Sequence, residues 1–561
     1  MDNTILEANL KALSGKNLDI YTYLISVKSN KNIPRFSFNR SKSGELIPFY
    51  NQPDGSLKPL HSTIDPVREA KRINSEVTED TGFIIFLGLG GGFAPKEALD
   101  NSKARILVID FHIEEIADLF FEKDYSALLI NDRFTLMIDA SEKEIKNFIT
   151  ENYRPVLDGG IKTIPLRTRT DMDLSLFSKA AAAIEEAVNI VSGDFSVQSH
   201  FGKRWFSNIV RNLGYSRSIN ENKFLKNVKS NIKEAAIIAA GPSLDRQLDT
   251  LYKYKKKNVF LICCDTAFPV LFHHGIEPDA VVSIDCQHIS YYHFISVKLS
   301  NIFLILDIAS PRLLSSFSKA PCYFSSGHPL ALLASQNIAN IPQLDTSGGN
   351  VAYACLSFAQ YIGAEHITLF GADFSYTGSQ SYARGTYISP FFEKKQNRFA
   401  PAQALFSSFL YRSPFVNKGY SSGGGVYYET ASLNFYRKKF EEKAGALNAK
   451  VKIIEGQGAP VTIIKKPETI PVKSETQNGN MNGLEFLKKY CKEIKELPHF
   501  DNANMYLKIL NSEQRQIFYT LLPFAAAVKR RSPLLKTKDV IKETKSRCIE
   551  EIEKALNQSS M

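Results

Sequence analysis

Short apolar runs alternate with amphipathic stretches along most of this chain. Five runs in its middle have strand length and strand composition: Ala236–Ala240, Val259–Cys263, Ala280–Ile284, Ile302–Leu306 and Ile367–Phe370. Val351, Ala354, Cys355, Phe358, Ala359 and Ile362 repeat at helical spacing and predict one apolar helix face. Buried strands alternating with helices imply a mostly parallel sheet covered on both faces. An earlier region, 82–195, repeats the pattern with strands at Phe83–Leu87 and Ile106–Ile109. The pattern predicts an α/β protein with two Rossmann-like units of mostly parallel sheet, followed by a helical C-terminal domain.

The remaining segments fit around these units. Residues 1–75 read as an irregular lead-in, with short strands and turns in the Ser-, Asn-, Gly- and Pro-rich stretch 35–59. Residues 172–225 read as helix, with Phe201, Trp205 and Ile209 on one face, bridging two domains. The polar stretch 466–482 reads as a linker and 484–561 as helices. The expected domains are therefore 1–195, 196–465 and 484–561.

Composition narrows the class. The 561 residues, 44% hydrophobic and 23% charged, are ordinary for globular domains. The first residues have no apolar core of the kind a secretory signal carries, and no apolar run approaches the roughly 18–20 residues of a membrane span. The seven cysteines form no C-x-x-C pair, which predicts reduced thiols, no zinc site and a cytosolic setting. A formal charge of +11 favours an anionic ligand or partner. No basic stripe interleaved with aromatics points to nucleic acid. The basic cluster Lys529, Arg530, Arg531, Lys536 and Lys538 reads either as a solvated helix end or as a docking surface for an acidic partner.

Two glycine-rich turns invite chemistry. After the first strand come Gly88, Gly90, Gly91 and Gly92, and Asp110 lies 20 positions beyond Gly90. This outlines a dinucleotide-binding turn with a ribose-binding acid, but the spacing is G-x-G-G-G and Pro95 falls in the first helical turn. A tight turn without a ligand is the competing reading. In the central unit, Gly241-Pro242-Ser243-Leu244 follows a buried strand and opens a helix marked by Leu248 and Leu251. Glycine lets a phosphate approach the backbone, proline suits a helix start, and Ser243 either caps the helix or donates to a ligand. Asp265, Asp285 and Asp307 end three further strands, at the edge where open α/β sheets bind ligands. Thr346-Ser347-Gly348-Gly349-Asn350 opens the amphipathic helix, and Gly371-Ala372-Asp373 follows the last strand, with Tyr376 and Tyr382 beyond it. Ser421–Gly425 is a candidate mobile lid or a plain surface loop.

The runs AAIIAAGPSLD, CCDTAFPVLFHHGIEPDAVVSID and TSGGNVAYACLSFAQYIGAEHITLFGADFSYTG resemble the motility-associated factor (Maf) glycosyltransferases of bacteria over roughly residues 200–400. That resemblance implies a cytoplasmic enzyme that moves a nonulosonic acid, of pseudaminic or legionaminic type, from a CMP-activated donor to Ser/Thr of flagellin. The same core is similar to bacterial sialyltransferases and to 6-hydroxymethylpterin diphosphokinases. By resemblance to the sialyltransferases, Gly241, Pro242, Ser243, Leu244, Thr346, Ser347 and Gly348 contact CMP, with Gly349 and Asn350 completing that loop. Asp265 and Asp285 face nucleotide and sugar, and Tyr376 and Tyr382 are the nearest matches to tyrosines that meet the donor phosphate; Asp373, a fourth strand-end acid, is a further candidate for the nucleotide. Those enzymes place a catalytic histidine beyond the tyrosines, whereas this chain has none between His366 and His499. Asp285 and His288 are the alternative candidates for the base. No metal ligands are assigned, and dependence on a divalent metal stays open. Three rival readings remain: a Mg²⁺-dependent pterin diphosphokinase, a non-catalytic flagellar assembly factor, and a methyltransferase using the first glycine turn.

Overall fold

The computed structural model describes residues 3–27, 35–52, 54–215, 232–295, 302–318, 321–339, 341–378, 380–412, 415–465, 479–501 and 503–558. Most of the expected linker and the end of the expected bridging helix lie outside them. The chain divides into two compact units. Unit 1 comprises 1–200, 498–511 and 525–542; unit 2 comprises 201–497, 512–524 and 543–561. The C-terminal helices are thus shared between the two units, and the chain passes from one to the other within the helix Leu174–Tyr215.

In unit 1 the lead-in is more regular than its composition predicts. Helices Asn3–Leu13 and Leu18–Val27 precede an antiparallel sheet of β1 (Phe36–Arg40), β2 (Leu46–Asn51) and β3 (Leu57–Pro59). Four parallel strands follow: β4 (Thr81–Leu87), β5 (Arg105–Asp110), β6 (Phe134–Ile138) and β7 (Gly160–Pro165), in the order β6-β5-β4-β7. Ile84, Ile85, Leu107, Val108 and Ile109 are fully buried, so both sheet faces are covered. That double burial explains the continuous apolar runs in the sequence.

Unit 2 is built on seven parallel strands: β8 (Glu234–Ile238), β9 (Phe260–Cys264), β10 (Ala280–Ser283), β11 (Phe303–Asp307), β12 (Cys322–Phe324), β13 (His366–Phe370) and, last, β17 (Lys450–Ile453). Their order is β12-β11-β10-β9-β8-β13-β17. A small antiparallel sheet carries β14 (Tyr376–Thr377), β15 (Val416–Tyr420) and β16 (Val426–Thr430). The helix Val351–Tyr361 buries Ala354, Cys355, Phe358 and Ala359 as its spacing predicts. Phe358, fully buried, contributes roughly 1.5–3 kcal/mol, and each buried alanine methyl about 0.8 kcal/mol. All seven cysteines are free and buried. Among the described residues no helix is long and apolar enough to cross a membrane.

The sheet order places the functional region. β8 starts the sheet; β9 to β12 build away from it on one side, and β13 and β17 on the other. The direction of winding reverses between β8 and β13, and in open α/β sheets ligands bind outside the carboxyl ends at such a reversal.

Candidate functional site

At the reversal, the Gly-Pro-Ser turn after β8 meets the Gly-Ala-Asp turn after β13. Gly241 N–H donates to the Gly371 carbonyl at 2.9 Å, and Gly371 N–H to Gln247 Oε1 at 2.8 Å. A Cβ on Gly371 (φ +62°) would meet the Ala239 carbonyl at 2.3 Å, and one on Gly241 would meet Asp373 Oδ2 at the same distance. Both glycines therefore allow close approach of protein to protein. Asp373 accepts from Ser243 N–H at 2.8 Å and from Ser243 Oγ at 2.5 Å, and Ser243 Oγ accepts from Gln457 N–H at 2.8 Å. Ser243 thus bridges the turns and makes no side-chain bond to its own helix. Burial raises the Asp373 pKa, partly offset by these donors. Phe374, next in the chain, holds φ +45°, a conformation L side chains rarely adopt. Beside Ser243 and Asp373 opens a cavity of about 330 Å³ whose wall includes Ser422, so the Ser421–Gly425 loop reaches this edge.

On the other flank of β8, charged and aromatic groups converge. Asp265, at the end of β9, is 1% exposed and accepts from Ser283 Oγ at 2.7 Å and from Thr266 N–H at 2.6 Å. Asp285 follows β10 and accepts from Gln287 N–H at 2.9 Å. Burial raises its pKa, and the charge of Asp265 adds to that. His293 ends the short helix His288–His293, and its ring stands edge-on to Tyr387 with centroids 4.6 Å apart. Burial lowers the His293 pKa, opposed by Asp265 and Asp285. Tyr382 and Tyr387 lie within the field of Asp265 and Arg412, and burial raises both phenol pKa values. The Tyr382 segment is pinned over the Gly-Pro-Ser turn, because Ala383 N–H donates to the Ala240 carbonyl at 2.9 Å and Arg384 N–H to Asp245 at 3.0 Å.

Two buried atoms in this region have no hydrogen-bond partner among the described residues: Nδ1 of His293 and Oγ of Ser381. Buried polar groups are nearly always paired, so such atoms call for an explanation. Sequence reasoning missed His293, Ser381, Tyr387 and Arg412. His293 reaches the crevice from the segment after β10, ahead of the tyrosines in the chain.

The remaining expected residues sit elsewhere on the same edge. Tyr376 pairs in β14 with Tyr428 of β16. Asn350 caps the helix Val351–Tyr361 by accepting from Tyr353 N–H at 3.0 Å. Gly348 is pressed on the Tyr353 ring and Gly349 (φ +71°) on Tyr436, while Ser347 N–H donates to Asp345 at 3.0 Å. Thr346 is half-buried at the start of this loop. Although burial alone would raise the Asp345 pKa, Lys443, Tyr353 and Ser347 together hold it below the usual carboxylate range. His288 is exposed and lines a different cavity. Leu244 and Pro242 are buried in the turn.

Comparison with known proteins bears on the core and on the fold. Residues 207–379 match the protein family described as 6-hydroxymethylpterin diphosphokinase MptE-like, which spans the β8–β13 core and the clustered acids. The fold of the whole chain is shared with the solved structure of a MAf glycosyltransferase from Magnetospirillum magneticum AMB-1, at TM-score 0.59 and 12% identity, over 100% of this chain and 97% of that one. Of the resemblances read from the sequence, the pterin diphosphokinase one is met in the core and the Maf one in the fold. Two uncharacterized proteins of Treponema pallidum (strain Nichols) are also similar. One is 36% identical over 147 residues, 26% of this chain but only 51%, about half, of that protein's length. The other is 31% identical over 179 residues, 32% of this chain and 83% of that protein. The chain belongs to one family with this second protein.

Proposed function

We propose that unit 2 is a glycosyltransferase that moves a nonulosonic acid of pseudaminic or legionaminic type from a CMP-activated donor to Ser/Thr of flagellin. One observation carries the reading: a buried histidine with an unpaired ring nitrogen packs against Tyr387 within the field of two strand-end carboxylates, at the carboxyl edge of a sheet whose whole-chain fold a MAf glycosyltransferase shares. In this reaction the glycosidic C–O bond to the CMP phosphate breaks and a bond to the acceptor oxygen forms. Burial keeps His293 neutral, so Nδ1 is able to accept the acceptor hydroxyl's proton. Asp265 and Asp285 then stabilise the imidazolium. Tyr382, Tyr387 and Arg412 supply donors for the phosphate as it gains charge, the type of preorganised stabilisation worth roughly 3–4 kcal/mol per donor. Gly241, Pro242, Ser243 and Leu244 form the floor against which the nucleotide lies, with Thr346, Ser347, Gly348, Gly349 and Asn350 as a second wall. Asp373 keeps the floor in shape, and Tyr376 anchors the strand that leads to Tyr382.

A second reading is favoured by the MptE-like match: pyrophosphate transfer from ATP to a pterin, with Asp265 and Asp285 holding Mg²⁺. Calorimetry with CMP, CDP, ATP and GDP, with and without Mg²⁺, separates the two. The expected result is selective CMP binding, lost in Ser243→Trp. Mg²⁺-dependent ATP binding without CMP binding establishes the second reading instead. Binding of no nucleotide leaves a non-catalytic assembly factor.

A further inference from the structure

A second cavity of unit 2, of about 410 Å³, opens beyond the ends of β10 and β11. Its wall carries the cations Arg211, Arg312 and Lys554, with His288 beside them, against a single acid, Glu551. Glu551 pairs only loosely with Arg211, at 3.6 Å. Arg312 lies over the Tyr215 ring, its Cζ 3.6 Å from the centroid. A guanidinium set over an aromatic face still presents N–H donors to a carboxylate. The two loops that present His288 and Arg312 are tied together beneath the cavity: Asn208 Nδ2 donates to the Cys286 carbonyl at 3.2 Å and to the Ala309 carbonyl at 2.8 Å. The cationic wall is therefore mounted on a fixed base.

The short helix His288–His293 joins this cavity to the crevice. At roughly 2 Å of rise per residue, its ends lie about 10 Å apart. An extended polypeptide covers that distance in about three residues. The donor's own carboxylate does not fit the cavity, because in a nonulosonic acid it is bonded to the anomeric carbon and stays with the reacting atoms. We propose that the cavity binds an acidic side chain of the acceptor polypeptide, about three residues from the hydroxyl that receives the sugar. This rests on the glycosyl-transfer reading, and it makes the cavity the determinant of which Ser or Thr is selected.

The test uses the full chain and two synthetic peptides, one with Asp three residues from a Ser and one with Asn in place of that Asp. Binding is titrated at low ionic strength, with and without saturating CMP. The expected preference for the Asp peptide is about tenfold or more. It shrinks to under about twofold in Arg312→Gln/Lys554→Gln and grows in Glu551→Gln, an increase that misfolding does not produce. Equal affinity for the two peptides overturns the proposal, as does a preference that the double variant leaves intact. Loss of the preference when free N-acetylneuraminic acid is added assigns the cavity to a small sugar acid, which also overturns it. CMP binding, recorded in the same samples, reports separately on the donor reading. Peptide preference without CMP binding keeps the acidic-side-chain site and removes the transferase.

Discussion

The two glycine-rich turns end differently. In unit 1, the Gly88–Gly92 turn is filled by its own protein. His61 Nε2 accepts from Gly91 N–H at 2.7 Å, Tyr125 donates to the Gly90 carbonyl at 2.7 Å, and Asp110 accepts from Leu89 N–H at 2.7 Å. The acid that the Rossmann outline assigns to a ribose instead binds the wholly buried Arg169 at 3.0 Å. In unit 2, the Gly-Pro-Ser turn is equally well braced, but beside it His293 and Ser381 keep buried atoms without a partner. Glycines report only that something comes close. Unpaired buried polar atoms call for a partner, and in unit 2 two of them lie beside the turn.

The largest expected effect breaks the closed side of this comparison. Arg169→Met leaves the Asp110 carboxylate buried without its cation. Removing one partner of a buried pair destabilises by about 3–5 kcal/mol. Chemical denaturation should show that loss. CMP affinity measured under conditions where the variant is folded should not change. A fall in CMP affinity there would mean that unit 1, too, serves the nucleotide.

Next in size is a comparison of two buried aspartates. Asp110 has Arg169. Asp307, at the end of β11, has among the described residues only the Ala309 N–H, at 2.8 Å, and the Ser326 hydroxyl. Burial pushes its pKa up to about 6 from 3.8. Folding therefore favours the protonated form. The stability linked to this group is complete below pH 3.8 and is lost as pH rises through about 6. At 1.36 kcal/mol per pH unit, the strain at neutral pH is about 3 kcal/mol. Asp307→Asn should raise the denaturation midpoint at pH 7.5 and give no gain near pH 4. A stability difference that does not vary with pH would show that Asp307 does not titrate in this window.

His293→Gln tests the open side. The expected outcome is about a 100-fold fall in sugar transfer, with the melting temperature shifted by only a few degrees. In the parent enzyme the rate should decline on the acid side, as the imidazole protonates below its ordinary range. If His293→Gln keeps the parent's acid limb, the base is another group, and Asp285 is next in line.

Much of this architecture was legible from periodicity. Buried parallel strands are continuous apolar runs, so five of the seven central strands and the Val351–Tyr361 helix stand out. β12 spans only Cys322–Phe324, too short for a pattern, and β17 alternates Lys450, Val451, Lys452 and Ile453 as an edge strand does. The strand-end acids were legible because topology alone puts them at one edge. The partners of those acids were not. Whether Asp373 faces a ligand or Ser243 depends on 130 residues of intervening chain, and no local spacing encodes that. His288 and His293 look alike in sequence. Only the winding of their short helix separates an exposed ring from a buried one.

The smallest predicted effect is the most discriminating. Gly90→Ala puts a methyl group at φ +50°, 2.6 Å from both His61 Nε2 and Leu166 Cδ2. Leu166 Cδ2 is the end of a flexible, half-buried side chain, but His61 is held by Gly91 N–H and by Glu69 at 3.3 Å. The left-handed conformation and this contact together cost about 1–2 kcal/mol. A turn that cradled a nucleotide would lose its ligand through the same methyl group. A turn already filled by His61 loses stability alone. Thermal melting together with CMP calorimetry on Gly90→Ala decides between them. A modest drop in melting temperature with unchanged CMP affinity marks the first glycine turn as a structural joint. It also leaves the unit 2 crevice, with its unpaired His293 nitrogen, as the place where the nucleotide is held.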